Sequence, residues 1–357
     1  MKHFLQKITV VLIFALVLSG CETVGYYSQA AQGQWSIWWQ REPISELLAS
    51  PDTTPELRQQ LQRVEAYRLF ASQQLALPDN KSYRYYTDIK RPYVVWNVVA
   101  AEPLSVEPLT WCFPIAGCVS YRGYFSEQAA IDYAQQLQQQ GYETHVGGVA
   151  AYSTLGWFDD PLLNTFVSRA PLDLAGLIFH ELAHQQVYVA GDTAFNESFA
   201  TTVELIGVER WAQQQGITPE ELNAYHQRRI MRKEFVSLLL DLREQLQALY
   251  AQAIPEQEKI NTKQQLLEID FPAQLRQLQQ HWGQSTAFAG WLQQPVNNAR
   301  LSTVASYHQW VPAFQQLLQE QENDLARFYQ RVEALAQLDA PSRQVKLLAL
   351  KQRALRL

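Results

Sequence analysis

His180 and His184 stand four residues apart, with Glu181 directly after the first, in the run His180-Glu181-Leu182-Ala183-His184. On an α-helix, residues i and i+4 lie one turn apart on the same face, so two imidazoles at this spacing can converge on one ion. Glu181 then sits beside them, placed to take a proton from an attacking water. This pattern predicts metal-assisted hydrolysis, with zinc the expected ion from the ligand types and a peptide the expected substrate. The surrounding run, Leu172 to Val189, is apolar nearly all round, which predicts a helix buried in the interior. Two imidazoles and a carboxylate in such a helix are costly without a partner.

A catalytic zinc site needs a third protein ligand and an open position. Glu197 and Glu204 are the candidates, seven residues apart on one face of the next predicted helix, Ala194 to Gln214. With Gly191 ending the first helix and Asp192 or Thr193 capping the second, a connection of about four residues predicts an antiparallel pair. Counted at about 1.5 Å per residue, the ion lies roughly 13 Å back from the turn, Glu197 about 7 Å and Glu204 about 18 Å. Rise alone leaves both acids open, one as ligand and the other as a contact to a second ligand or a substrate amine.

Elements on either side frame this pair. A 3.6-residue period predicts a helix over Pro55 to Leu75, and Ser126 caps another ending near Gln140. Tyr93 to Ala101, Val119 to Phe125 and Glu143 to Ala151 read as strands. Thr218-Pro219-Glu220 opens a long helix towards Gln252; a Gln-rich helical stretch over 256–280 and two closing helices follow. The expected fold is α+β and mostly α-helical. Its expected parts are residues 1–20 as a leader, 21–82 as an N-terminal helical segment, 83–170 as a small α/β region, and 171–357 as a helical catalytic region with C-terminal helices.

The chain has 357 residues, 47% of them hydrophobic and 18% charged, which excludes a disordered chain. A net charge of −6 argues against nucleic acid as a partner. Lys2 and Lys7 precede an apolar run, Ile8 to Leu18, of about 16 Å as a helix, too short for a ~30 Å hydrocarbon core. A secretory leader is expected. Leu18-Ser19-Gly20-Cys21 resembles the bacterial lipobox, which implies that Cys21 is lipidated and that the protein is tethered to an envelope membrane, facing the periplasm. Cys112 and Cys118 then remain, and in an oxidising compartment a bridge between them is the simplest accounting.

The run His180 to Gln185, followed by Asn196-Glu197-Ser198-Phe199-Ala200 and Val203-Glu204, resembles the zinc site of gluzincin aminopeptidases. That resemblance implies His180, His184 and Glu197 as ligands, although twelve residues between His184 and Glu197 make a shorter interval than those enzymes have. The chain as a whole is similar to the Putative aminopeptidase family of bacterial lipoproteins. Shared segments are the lipobox, 114–118, Tyr121-Arg122-Gly123-Tyr124-Phe125, 156–161, the zinc run, and Asn297-Asn298-Ala299-Arg300 with Tyr307 and Pro312. The likeness implies Tyr307 as the donor that steadies the oxyanion, with Tyr225 and His226 in reserve. It also implies a substrate-binding edge strand at Gly148, Val149 and Ala150. No acid stands in that strand to hold a free amino terminus, so Asp159, Asp160 or Glu204 is expected to do so. Gly147 and Gly148 are also consistent with a bulge. The competing reading is a lipid-anchored envelope binding or assembly factor that keeps the fold without turnover.

Overall fold

The computed structural model describes residues 25–113, 117–151, 159–304 and 308–356. It is 63% helical and 9% strand, a mostly α-helical α+β fold. Cys21, Tyr307, 114–116 and 152–158 lie outside the described residues.

After a helix over 25–39, which its aromatic texture did not announce, the strands are short. β1 (Glu42–Pro43) pairs antiparallel with β2 (Tyr85–Thr87), and β2 runs parallel to β8 (Leu162–Leu163). A second sheet has the order β6-β3-β7, with β3 (Val95–Ala101) central between β6 (Arg122–Tyr124) and β7 (Glu143–Val149). The strand expected over 119–125 is broken: β4 (Trp111–Phe113) and β5 (Gly117–Val119) form a separate ladder in which Cys112 faces Cys118, and the two are disulfide-bonded. β7 pairs with β3 residue for residue from Glu143 to Val149, so the two glycines mark no bulge. A Cβ on Gly148 would come within 2.3 Å of the Tyr93 ring; the glycine is there for close approach.

Helices α1 (Pro55–Gln74) and α2 (Glu127–Gln139) are capped by the side chains of Thr54 and Ser126. α3 (Pro171–Gln186) and α4 (Thr193–Gln215) are the pair that carries the His-Glu motif. α5 (Pro219–Tyr250) crosses their N-terminal and C-terminal ends respectively, and α6 (Glu256–Gln264) continues through a π-helical turn into α7 (Phe271–His281). Three closing helices follow where two were expected: α8 (Val311–Glu320), α9 (Leu325–Ala336) and α10 (Ala340–Ala354). The tight turn at Glu322 and Asn323, both at positive φ, separates the first two without proline or glycine, which is why the pattern hid it.

The largest apolar cluster packs α1, α3, α4, α8, α9 and α10 together, with Phe179 and Phe199 fully buried inside it. Tyr67 of α1 donates to the Pro171 carbonyl at 3.1 Å and packs edge-on against Phe179 and Trp211, fixing where α3 begins. Gly207 is the contact point of α4 with this core, since a Cβ there would stand 2.7 Å from the Phe179 ring and 2.9 Å from Leu75. Gly207→Val is therefore expected to destabilise the fold by about 1–3 kcal/mol through overpacking, read as a lower denaturant midpoint at unchanged slope.

Candidate metal centre

α3 ends at Gln186, five residues before Gly191, because Val187 turns into extended backbone. Gly191, at φ +79, belongs to the six-residue connection and not to the helix. Asp192 caps α4 by accepting from the Phe195 N–H at 3.0 Å and is itself held by buried Arg343 of α10 at 2.9 Å. Asn196 closes the turn, its amide exchanging two 2.8 Å hydrogen bonds with the backbone of Val189. On the other side, Asn80 donates to Gln185 and Gln185 to Ser82, pinning the last turn of α3.

This scaffold sets the geometry. His180 Nε2 lies 3.2 Å from Glu197 Oε2, and His184 Nε2 lies 3.5 Å from Glu197 Oε1. One ligand atom from each of His180, His184 and Glu197 falls within 4.8 Å of the others, and theirs is the one such grouping found among the described residues. Two ligands each about 2.0–2.1 Å from a tetrahedral zinc are roughly 3.4 Å apart, the spacing seen here. His184 Nδ1 is buried without a hydrogen-bond partner among the described residues, so nothing else competes to turn its ring away. The three side chains thus fit a divalent ion.

Glu204 occupies a different place. Its Oε2 lies 3.2 Å from His180 Nδ1, on the far side of the ring from Glu197. It also accepts from Tyr225 at 3.2 Å and pairs with Arg229, both on α5. Gly176 makes room for this arrangement, a Cβ there meeting the Glu204 side chain at 3.2 Å and the Tyr225 hydroxyl at 3.4 Å. Glu204 therefore fixes the tautomer and orientation of His180. Tyr225 is committed to Glu204, and His226 pairs with Glu209 at 2.9 Å, so neither reserve oxyanion donor is free for that task. Glu204→Gln is expected to weaken metal affinity by about 10–100-fold with the fold intact, measured by competition with a chelating dye.

The electrostatics follow from this packing. Burial pushes the His180 imidazolium down, but hydrogen bonds to Glu197 and Glu204 outweigh it and raise its pKa to about 10. Burial raises Glu197 and Glu204, yet their imidazole partners hold both below the usual carboxylate range. Burial raises Glu181, opposed by His180 and His184. The raised His180 contributes stability that is complete below 6.5 and is lost as pH climbs towards 10; the lowered acids contribute stability complete above 4.5 and lost on acidification. In metal-free protein, the stability that these groups add, read as wild type minus Glu197→Gln in thermal melts, is expected to peak between those two values.

Glu181 borders a cavity of about 20 Å³, room for about one water, lined also by Tyr83, Asp160, Leu177, Gln34 and Ala151. Ala151 lies two residues past the end of β7, whose place in the sheet is at an edge. The chain leaving β7 and the side chain of Glu181 thus line one cavity. The Tyr83 N–H donates to the Asp160 carbonyl at 2.7 Å, and the burial of the Tyr83 phenol beside the Glu181 and Asp160 charges keeps it protonated.

A family model described as "Putative aminopeptidase" matches residues 25–347, nearly the whole chain. The chain belongs to that family. No curated protein and no solved structure matches it. Within this family member, the Asn297 to Arg300 segment serves architecture. Asn298 is buried, donates to the carbonyls of Glu102 and Pro103 and accepts from Tyr250, while Asn297 donates to Thr144 of β7. Arg300 donates to the carbonyls of Trp291 and Gln294. The segment ties the β3-β7 sheet to α5. Arg229 and Gly176 complete the site, yet no spacing rule singles them out; their signal is only that they stand on the elements beside it, whereas Asp192 was legible as a helix cap.

Proposed function

We propose that this family member is a zinc-dependent aminopeptidase, tethered to an envelope membrane by lipid on Cys21. What supports the reading is the convergence of His180, His184 and Glu197 at ligand spacing, with Glu181 beside them at a water-sized cavity. When bound, a zinc ion would supply Lewis acidity, polarising the scissile carbonyl and easing loss of a proton from water.

The chain's own residues do the rest. Glu181, its pKa raised by burial, accepts the proton from water and delivers it to the departing amine nitrogen. Glu204, anchored by Tyr225 and Arg229, holds the His180 ring in the orientation that presents Nε2 to the ion. Gly148 and Val149 receive the peptide main chain along the edge of β7, with Ala150, whose carbonyl accepts from Thr165, just past its end, which delivers the substrate carbonyl beside Glu181. Tyr307 steadies the developing oxyanion, and Asp159 or Asp160 holds the substrate's amino terminus, since Glu204 is committed to His180, Tyr225 and Arg229.

The test is hydrolysis of paired peptides that differ only in acetylation of the amino terminus. The reading expects cleavage of the free peptide and loss of cleavage on acetylation. Equal cleavage of both would make the protein an endopeptidase, and cleavage of neither by zinc-loaded protein would favour the non-catalytic binding factor.

A further inference from the structure

The last 18 residues carry five Lys and Arg and no Asp or Glu, in a chain whose remainder has 24 Lys and Arg against 35 Asp and Glu. They form α10. Its buried row, Arg343, Leu347 and Leu350, faces α8 and the core. On the opposite side Val345, Leu348, Gln352 and Leu355 follow one another at steps of three and four residues. Three of these are large apolar side chains left in solvent, at 65%, 43% and 74% exposure. Lys351 flanks this stripe on one side, and Lys346, Arg353 and Arg356 on the other.

Beside the stripe, α8, α9 and α10 enclose an open groove of about 530 Å³ with an apolar floor that includes Leu335 and Leu338. Arg331, Lys346, Arg353 and Arg356 rim it. Only Arg353 has a carboxylate partner among the described residues, Glu320 at 3.3 Å. A helix with a solvent-facing apolar stripe bordered by a row of cations is built to lie in a lipid interface, the apolar side chains among the acyl boundary and the cations at headgroup level. The rest of the chain carries more acids than bases, 35 against 24, and is on balance repelled by an anionic bilayer, so this face decides which way the protein turns.

We propose that the outer face of α10, with the adjoining groove, docks on the anionic phospholipid surface of a membrane. The assignment is independent of the metal site and of its chemistry. It commits to lipid because the apolar stripe and the cationic rim occur together, which a soluble acidic ligand does not require.

The test uses the full-length chain, reconstituted into vesicles of phosphatidylcholine alone or with added phosphatidylglycerol, carrying an environment-sensitive dye on Gln352→Cys. Docking predicts a blue-shifted emission, quenched by lipid-borne quenchers, only with phosphatidylglycerol present. Lys346→Ala with Arg356→Ala should lower the docked-to-free ratio about thirtyfold, and Val345→Ser with Leu348→Ser should abolish quenching from the acyl region. Both pairs are exposed, and unchanged circular dichroism verifies folding. The same emission in both vesicle types overturns the proposal. So does a shift produced without vesicles, by polyglutamate (an acidic protein partner) or by raised protein concentration (a second copy).

Discussion

Replacing Glu181 by Gln is expected to lower kcat for peptide hydrolysis by about 10²–10⁴-fold while leaving metal content unchanged. The substitution keeps the size and hydrogen-bonding reach of the side chain but removes its capacity to accept a proton. Glu181 is not one of the three converging ligands, so the ion should stay. Its side chain is half-buried and lines a water-sized cavity with Tyr83 and Asp160, and desolvation raises its pKa. A carboxylate whose pKa is moved up towards neutrality is a better proton carrier in both directions than an ordinary one. Equal rates in zinc-loaded wild type and variant would mean that hydrolysis, if present, does not pass through this residue.

The second large effect concerns the ligands. His184→Ala or Glu197→Ala should remove stoichiometric metal binding and all metal-dependent activity, since each leaves two protein ligands where a catalytic site uses three. The two variants should differ in stability when metal-free. Glu197→Ala takes away the acid beside both imidazoles, leaving His180 with Glu204 alone, and lowers its pKa from about 10. His184→Ala leaves the His180 to Glu197 contact in place and costs mainly the packing of a buried ring. Metal content by atomic emission and thermal melts with a chelator separate these effects. A Glu197→Ala protein that kept one ion per chain at wild-type affinity would show that the cation sits elsewhere.

The two imidazoles and Glu181 were legible because i, i+4 spacing on a helix is a local rule that tertiary context does not alter. The choice between Glu197 and Glu204 was not legible from rise, and the reason is one helix end. Taking Gly191 as the end of α3 put the ion too far from the turn. With the helix stopping at Gln186, the middle of the His pair lies about 6 Å from the end of α3, and Glu197 lies about 6 Å into α4. The two levels match, while Glu204 reaches His180 from about 10 Å further along and meets its other nitrogen. The family resemblance had favoured Glu197 where counting could not.

The same distinction runs through the rest of the chain. Capped, periodic helices such as α1, α2 and α5 were visible within a residue or two of their ends, because Thr54, Ser126 and Thr218 announce them. The break between β5 and β6 and the partners of Glu204 depend on contacts between distant segments, while α8 is parted from α9 by a left-handed turn at Glu322 and Asn323 that no proline or glycine marks. Arg229 and Tyr225 lie more than twenty residues from Glu204 along the chain and meet it only because α5 folds across α3 and α4. Gly207 looks like an unremarkable small residue until the Phe179 ring is placed against it, and Gly148, read as a bulge or substrate contact, proves to be the close approach of the Tyr93 ring.

The most direct test of the central claim is a crystal structure of zinc-soaked protein with anomalous data collected on both sides of the zinc edge. The account predicts one peak within about 2.0–2.3 Å of His180 Nε2, His184 Nε2 and a Glu197 carboxylate oxygen, with Glu204 still on His180 Nδ1 and Glu181 facing the open coordination position. No peak there at saturating zinc, with His180 still hydrogen-bonded to Glu197, would contradict it.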